Sequence, residues 1–78
     1  MEKIFEGKRV IDLEGYNKMP ESEKKKIEIV ISEGKTMRTI VIEGKQYEEI
    51  RQPDSAESCF VSIETIERAA EKYVYEKE

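Results

Sequence analysis

The chain contains no histidine and no tryptophan, a single cysteine, two prolines and four glycines in 78 residues. Each shortage removes a class of chemistry. Without His there is no Ser-His-Asp or Cys-His nucleophile pair and no imidazole metal ligand. One cysteine, Cys59, can build neither an internal disulfide nor a thiolate zinc site within one chain, which points to a reducing compartment. No apolar run approaches the roughly 20 residues of a membrane span, and Met1-Glu2-Lys3-Ile4-Phe5-Glu6 lacks the apolar core of a signal peptide. A cytoplasmic location is therefore expected. The Glu-Gly-Lys triplets have neither the spacing nor the Ser/Thr context of a phosphate-binding loop. No cofactor and no metal are expected, and no enzymatic activity.

What is present is charge and short aliphatic runs. Charged residues make up 41% of the chain, and the net charge is -4, with acids and bases interspersed as on a solvated surface. The 37% hydrophobic content, arranged with clear alternation, argues against disorder. Residues 1–78 read as one small domain, near the size at which one core only just suffices.

The stretch from Ile27 to Arg51 reads as three antiparallel strands joined by turns at Ser32-Glu33-Gly34 and Ile42-Glu43-Gly44. Three-residue loops ending in a left-handed glycine pair Ile29 with Met37, Glu28 with Arg38, Thr39 with Tyr47 and Arg38 with Glu48. Arg38 then lies between two glutamates, a cross-strand arrangement worth roughly 0.2–1 kcal/mol per pair. A two-residue loop at either turn would slide the ladder and exchange the faces. In the three-residue register one face carries Ile27, Ile29, Ile31, Met37, Thr39, Val41 and Tyr47, the expected core. The other carries Glu28, Val30, Arg38, Ile40, Ile42, Glu48 and Ile50, too aliphatic for a fully solvated face, so either the N-terminal segment covers it through Phe5, Ile11 and Leu13 or another molecule does.

Around this meander, Lys3 to Leu13 suggests a strand or a hairpin turning at Glu6-Gly7, and Gly15 to Lys26 a polar connection with one helical turn at Pro20-Glu21. Gln52 to Ser58 forms a linker, Cys59-Phe60-Val61 a brief last strand, and Ser62 to about Lys77 a helix capped by Ser62. Ile63, Ile66, Ala70 and Tyr73, flanked by Ala69 and Val74, form its apolar stripe. The expected fold is thus α+β: an antiparallel meander of four to five strands with one C-terminal helix packed on it. This order of a hairpin, a three-stranded meander and a C-terminal helix resembles the SH3-like barrels of small archaeal chromatin proteins. Those proteins are basic and present an exposed tryptophan to DNA, whereas this chain is acidic and has none, so the resemblance implies a fold and not a function.

The residues point to a small non-enzymatic interaction module, binding a protein partner or a second copy of itself through the mixed face around Val30, Arg38, Ile40, Ile42 and Ile50. One concrete form is an acidic inhibitor of a host nucleic-acid-processing enzyme, of the kind carried by phages and mobile elements. A different class is nucleic-acid binding, with Lys24, Lys25 and Lys26 contacting phosphates and Tyr16 and Tyr47 stacking on bases. Three lysines entering a strand serve solubility and edge protection equally well. The carboxylate pairs Asp12 with Glu14 and Glu48 with Glu49 are the remaining catalytic candidates, and solvated acids explain them. Cys59 reads as a small buried hydrophobe. The Gln52 to Ser58 loop is the ordinary place for a binding site and reads equally as a plain connector, and Tyr75 reads as part of an exposed, frayed end or as a contact residue.

Overall fold

The computed structural model describes the backbone of residues 3–77 and the side chains of residues 3–71. Among these residues it contains five strands and three helices, in the order β1 (Lys3–Phe5), β2 (Lys8–Ile11), α1 (Leu13–Lys18), α2 (Glu21–Glu33), β3 (Lys35–Ile42), β4 (Lys45–Arg51), β5 (Ser58–Ser62) and α3 (Ile63–Lys77). The fold is α+β, but the sheet is mixed. Its order is β1-β2-β5-β4-β3, and β2 runs parallel to β5 through Val10 opposite Phe60 and Ile11 opposite Val61. That parallel pair replaces the all-antiparallel meander, and with it the SH3-like layout.

The largest departure from expectation is Ile27 to Ile31, which is helix and not strand. Pro20 caps a helix whose first turn holds Glu21 and Glu23, and the helix continues to Glu33 instead of ending after one turn. Ile27 and Val30 are buried and Ile31 packs beside them, at spacings of three and four, while Ile29 is exposed. Gly34 is accordingly a helix C-cap and not a hairpin residue. Its role is close approach: a Cβ there would lie 2.6 Å from Ile50 Cγ2 and 2.7 Å from the Arg51 carbonyl oxygen, and would also meet the Val30 carbonyl. The connection before it is α1, capped by Asp12, whose carboxylate accepts from the Gly15 N–H at 2.7 Å.

Two turns are built alike. Glu6-Gly7 joins β1 to β2 and Glu43-Gly44 joins β3 to β4, each with positive φ at both residues, the requirement of a type I′ hairpin. The second loop has two residues, so Ile42 faces Lys45 and the ladder slides by one: Ile40 faces Tyr47, Thr39 faces Glu48 and Arg38 faces Glu49. A bulge between Thr36 and Arg38 adds a further residue. Residues expected to form a core therefore part company: Tyr47 is buried, but Ile29, Met37, Thr39 and Val41 are exposed.

All three helices lie against one face of the sheet. Ile11, Ile50, Cys59 and Val61 from the strands meet Tyr16, Ile27 and Val30 from α1 and α2, with Leu13, Met19, Ile31 and Ile66 around them. Ser62 caps α3 as expected: its Oγ accepts from the Thr65 N–H at 3.1 Å and lies 2.6 Å from the Thr65 hydroxyl. The inward face of α3 is Thr65, Ile66 and Ala69, with Ala70 exposed. Tyr73, Val74 and Tyr75 lie outside the described side chains.

Candidate functional site: the open face of the sheet

Alternation along each strand sends Phe5, Lys8, Val10, Arg38, Ile40, Ile42, Tyr47, Glu49 and Phe60 to the face on which no helix packs among the described residues. Val10, Tyr47 and Phe60 are nevertheless buried, Phe60 completely. Their cover comes from the sheet itself. In a flat five-stranded sheet β1 and β3 would be roughly 19 Å apart, yet Arg38 on β3 reaches Glu6 in the β1–β2 turn at 2.6 Å. One cleft is also lined from both edges. The sheet is curled about this face.

At one end of the curl lies an ionic cluster. Glu49 accepts from the Ser58 hydroxyl at 2.6 Å and from Arg38 Nε at 2.6 Å, and pairs with Lys8 Nζ at 3.0 Å. Those three donors, Ser58 first, hold its carboxyl down to about 2. The Lys8 ammonium and the Arg38 guanidinium each stand 5.9 Å from the Phe60 ring centre, and Phe5 meets the same ring edge-on at 5.7 Å. The two cations thus serve Glu49 with their charge and shield Phe60 with their stems.

At the other end the curl stays open as a cleft of about 480 Å³. Buried Val10 and Tyr47 form its floor, Lys3, Ile4 and Phe5 one wall, and Ile42 and Glu43 the other. Ile4, between Lys3 and Phe5 and opposite Arg9, alternates to the other face of β1 and is 60% exposed at the sheet edge. Lys3 is tied to Asp12 at 2.8 Å, and its own pKa is raised by that bond. Burial, reinforced by the Asp12 charge, raises the Tyr47 hydroxyl pKa. The cleft is apolar at its base and electrically balanced at its rim.

Of the residues expected to share a mixed face, Arg38, Ile40 and Ile42 do so. Val30 is on α2 and Ile50 faces the helices, both inside the helix-covered core. Lys24, Lys25 and Lys26 lie on α2. Tyr16 is buried below that helix, its hydroxyl donating to Glu28 at 2.7 Å, with Lys24 Nζ 5.7 Å from its ring centre. Tyr47 is on the far side of the sheet, so the structure does not bring the lysines and two tyrosines together as one patch.

Asp12 is committed to Gly15 and Lys3, which lower its pKa, while Glu48 and Glu49 point to opposite faces. The Gln52 to Ser58 loop closes on itself through Gln52 N–H to the Glu57 carbonyl at 2.9 Å and Glu57 N–H to Ser55 Oγ at 3.0 Å. Cys59 is a buried free thiol, its pKa raised by that burial. Among the described residues no cluster of three acids or thiols is placed to hold a metal ion, and no helix is long and apolar enough to cross a membrane.

Val10, Tyr47, Glu49, Phe60 and Lys8, with Glu6 from the β1–β2 turn, are the residues of this face that sequence reasoning did not assemble. The signal was the Glu-Gly dipeptide: read as a two-residue loop, it brings Arg38 opposite Glu49 and Ile40 opposite Tyr47 directly. Comparison with protein-family models, curated proteins and solved structures returned no match.

Proposed function

We propose that this chain is a small non-enzymatic binding module that takes a polypeptide partner at the cleft on its open face. The observation that carries this reading is the cleft itself: an apolar floor of Val10 and Tyr47 beside the edge strand β1, whose Ile4 is exposed at the sheet edge. An edge strand offers backbone N–H and C=O groups to an extended segment, and an adjacent apolar hollow accepts its alternate side chains. The local charge supports a peptide over a phosphate backbone, because Lys3 is paired with Asp12 and Glu43 stands on the opposite wall.

The test is capture from nuclease-treated lysate of the source cell by three forms of the protein. Wild type and Ile29→Asp, altered on the exposed side of α2, should retain the same protein, and Ile4→Asp should lose it. Retention that ignores Ile4→Asp, or that disappears with Ile29→Asp, would overturn the reading.

A further inference from the structure

The outer edge of β3 meets the cleft only at Ile42 and Glu43, and its sequence is unusual for an edge. Among the described residues β3 pairs with β4 alone. Its first half carries devices that discourage edge pairing, namely Lys35, the bulge before Arg38 and Arg38 itself. Its second half, Thr39-Ile40-Val41-Ile42, carries none: four consecutive β-branched residues, uncharged, unbulged, with Val41 63% exposed.

The direction of the free hydrogen-bonding groups follows from the turn. A two-residue Glu43-Gly44 loop makes Ile42 and Lys45 the closing hydrogen-bonded pair, so Ile42 and Ile40 turn their N–H and C=O groups toward β4. Thr39 and Val41 turn theirs outward. We infer that this edge pairs antiparallel with β3 of a second copy of the chain, about a two-fold axis at Ile40, to give a continuous ten-stranded sheet.

The second copy is the occupant because the edge complements itself. Antiparallel residues that face each other must share a sheet face, and a two-fold axis at Ile40 meets that condition. It pairs Thr39 with Val41 of the second copy twice over, using all four outward groups, and covers each exposed Val41 side chain. The charges agree. Antiparallel pairing sets Arg38 opposite Ile42 of the second copy and keeps the two Arg38 side chains, each already held by Glu6 and Glu49, at opposite ends of the seam, whereas parallel pairing would stack them. The contact is isologous and closes at two chains. Six residues on each copy, at the burial per residue of ordinary interfaces, remove on the order of 500 Å² from water, below the roughly 1,200 Å² of stable complexes. The dimer is therefore one that dissociates on dilution.

Sedimentation equilibrium of the full chain from about 10 μM to about 1 mM tests this. The mass should rise with concentration from 9.1 kDa toward twice that value and stop there. Val41→Pro removes one outward donor without touching the β3–β4 ladder, and Val41→Lys places a charge on the edge. Each should weaken association by about tenfold or more, while Ile4→Asp leaves it unchanged. Val41→Lys alters an exposed side chain, so it carries the test if the proline variant loses its fold. A constant 9.1 kDa species, a dimer indifferent to Val41→Lys, or growth beyond two chains through β1 on β3 would each overturn the inference. None of these results bears on partner capture, which responds to Ile4→Asp.

Discussion

The two faces of the one sheet are finished in different ways. On the helix-covered face Ile11, Ile50, Cys59 and Val61 meet apolar residues of α1 and α2, with the Arg9–Glu23 ion pair at 3.3 Å beside them. On the open face Val10, Tyr47 and Phe60 have Ile40 and Ile42 as partly buried neighbours, and the remaining cover is Phe5 and the stems of Lys8 and Arg38. Among the described residues the three helices pack on one side of the sheet only. The second side is closed halfway, by curling and by long charged side chains, and the unclosed half is the cleft. On the proposed function, binding falls to the side of the strands opposite the helix-packed core.

Substitutions on the two faces should therefore differ in kind. The largest effect is expected from Ile50→Asp, which buries an unpaired carboxylate against the helices and should cost about 4 kcal/mol or more, enough to unfold a domain of this size. Loss of the cooperative thermal transition in circular dichroism is the result to look for. Next is Gly34→Ala. Its methyl group would have to displace Ile50 and the backbone of Val30 and Arg51, at roughly 1–3 kcal/mol, measured by urea denaturation. If Gly34 had open space around it at its φ of -76°, the substitution would be close to neutral.

The open face should answer to charge. Glu49→Gln removes the carboxylate that Ser58, Arg38 and Lys8 share, and should cost roughly 1–3 kcal/mol at neutral pH. The pH dependence has a definite sign. Glu49 is held at about 2 against an ordinary 4.5, so its contribution is complete above pH 4.5 and is lost as the pH falls toward 2. Wild type should lose stability across that window, and Glu49→Gln should flatten this part of the profile. The smallest effect belongs to Ile4→Asp, at the exposed sheet edge, with stability expected to stay within about 0.5 kcal/mol of wild type. A drop as large as that of Gly34→Ala would mean that this edge is core and would remove the contrast between the faces.

Local chemistry accounts for the parts of this fold that were legible in the sequence. Ser62 before an amphipathic run marks the start of α3, Cys59 to Val61 form a buried strand, the Glu6-Gly7 dipeptide turns a hairpin, and Arg38, Ile40 and Ile42 share a face. The α2 segment was not legible because Ile27 and Ile31 satisfy both a two-residue and a helical period. Val30 then favours helix and Ile29 strand. The β-branched residues favour strand locally, but the Pro20 start and burial of Ile27 and Val30 against the sheet prevail. The β2–β5 pair joins residues as distant as Val10 and Phe60, for which nothing nearby in sequence gives notice. The ionic cluster depends on both: only with β5 between β2 and β4, and with the shorter loop, do Lys8, Arg38 and Ser58 converge on Glu49.

The division of labour between the faces is tested most directly by titrating the captured partner into ¹⁵N-labelled protein and mapping the amide shifts. The account predicts that they concentrate at Lys3 to Phe5, Val10, Ile42, Glu43 and Tyr47, with α2 and α3 unmoved. Shifts centred on α2 and α3, with the cleft silent, would contradict it.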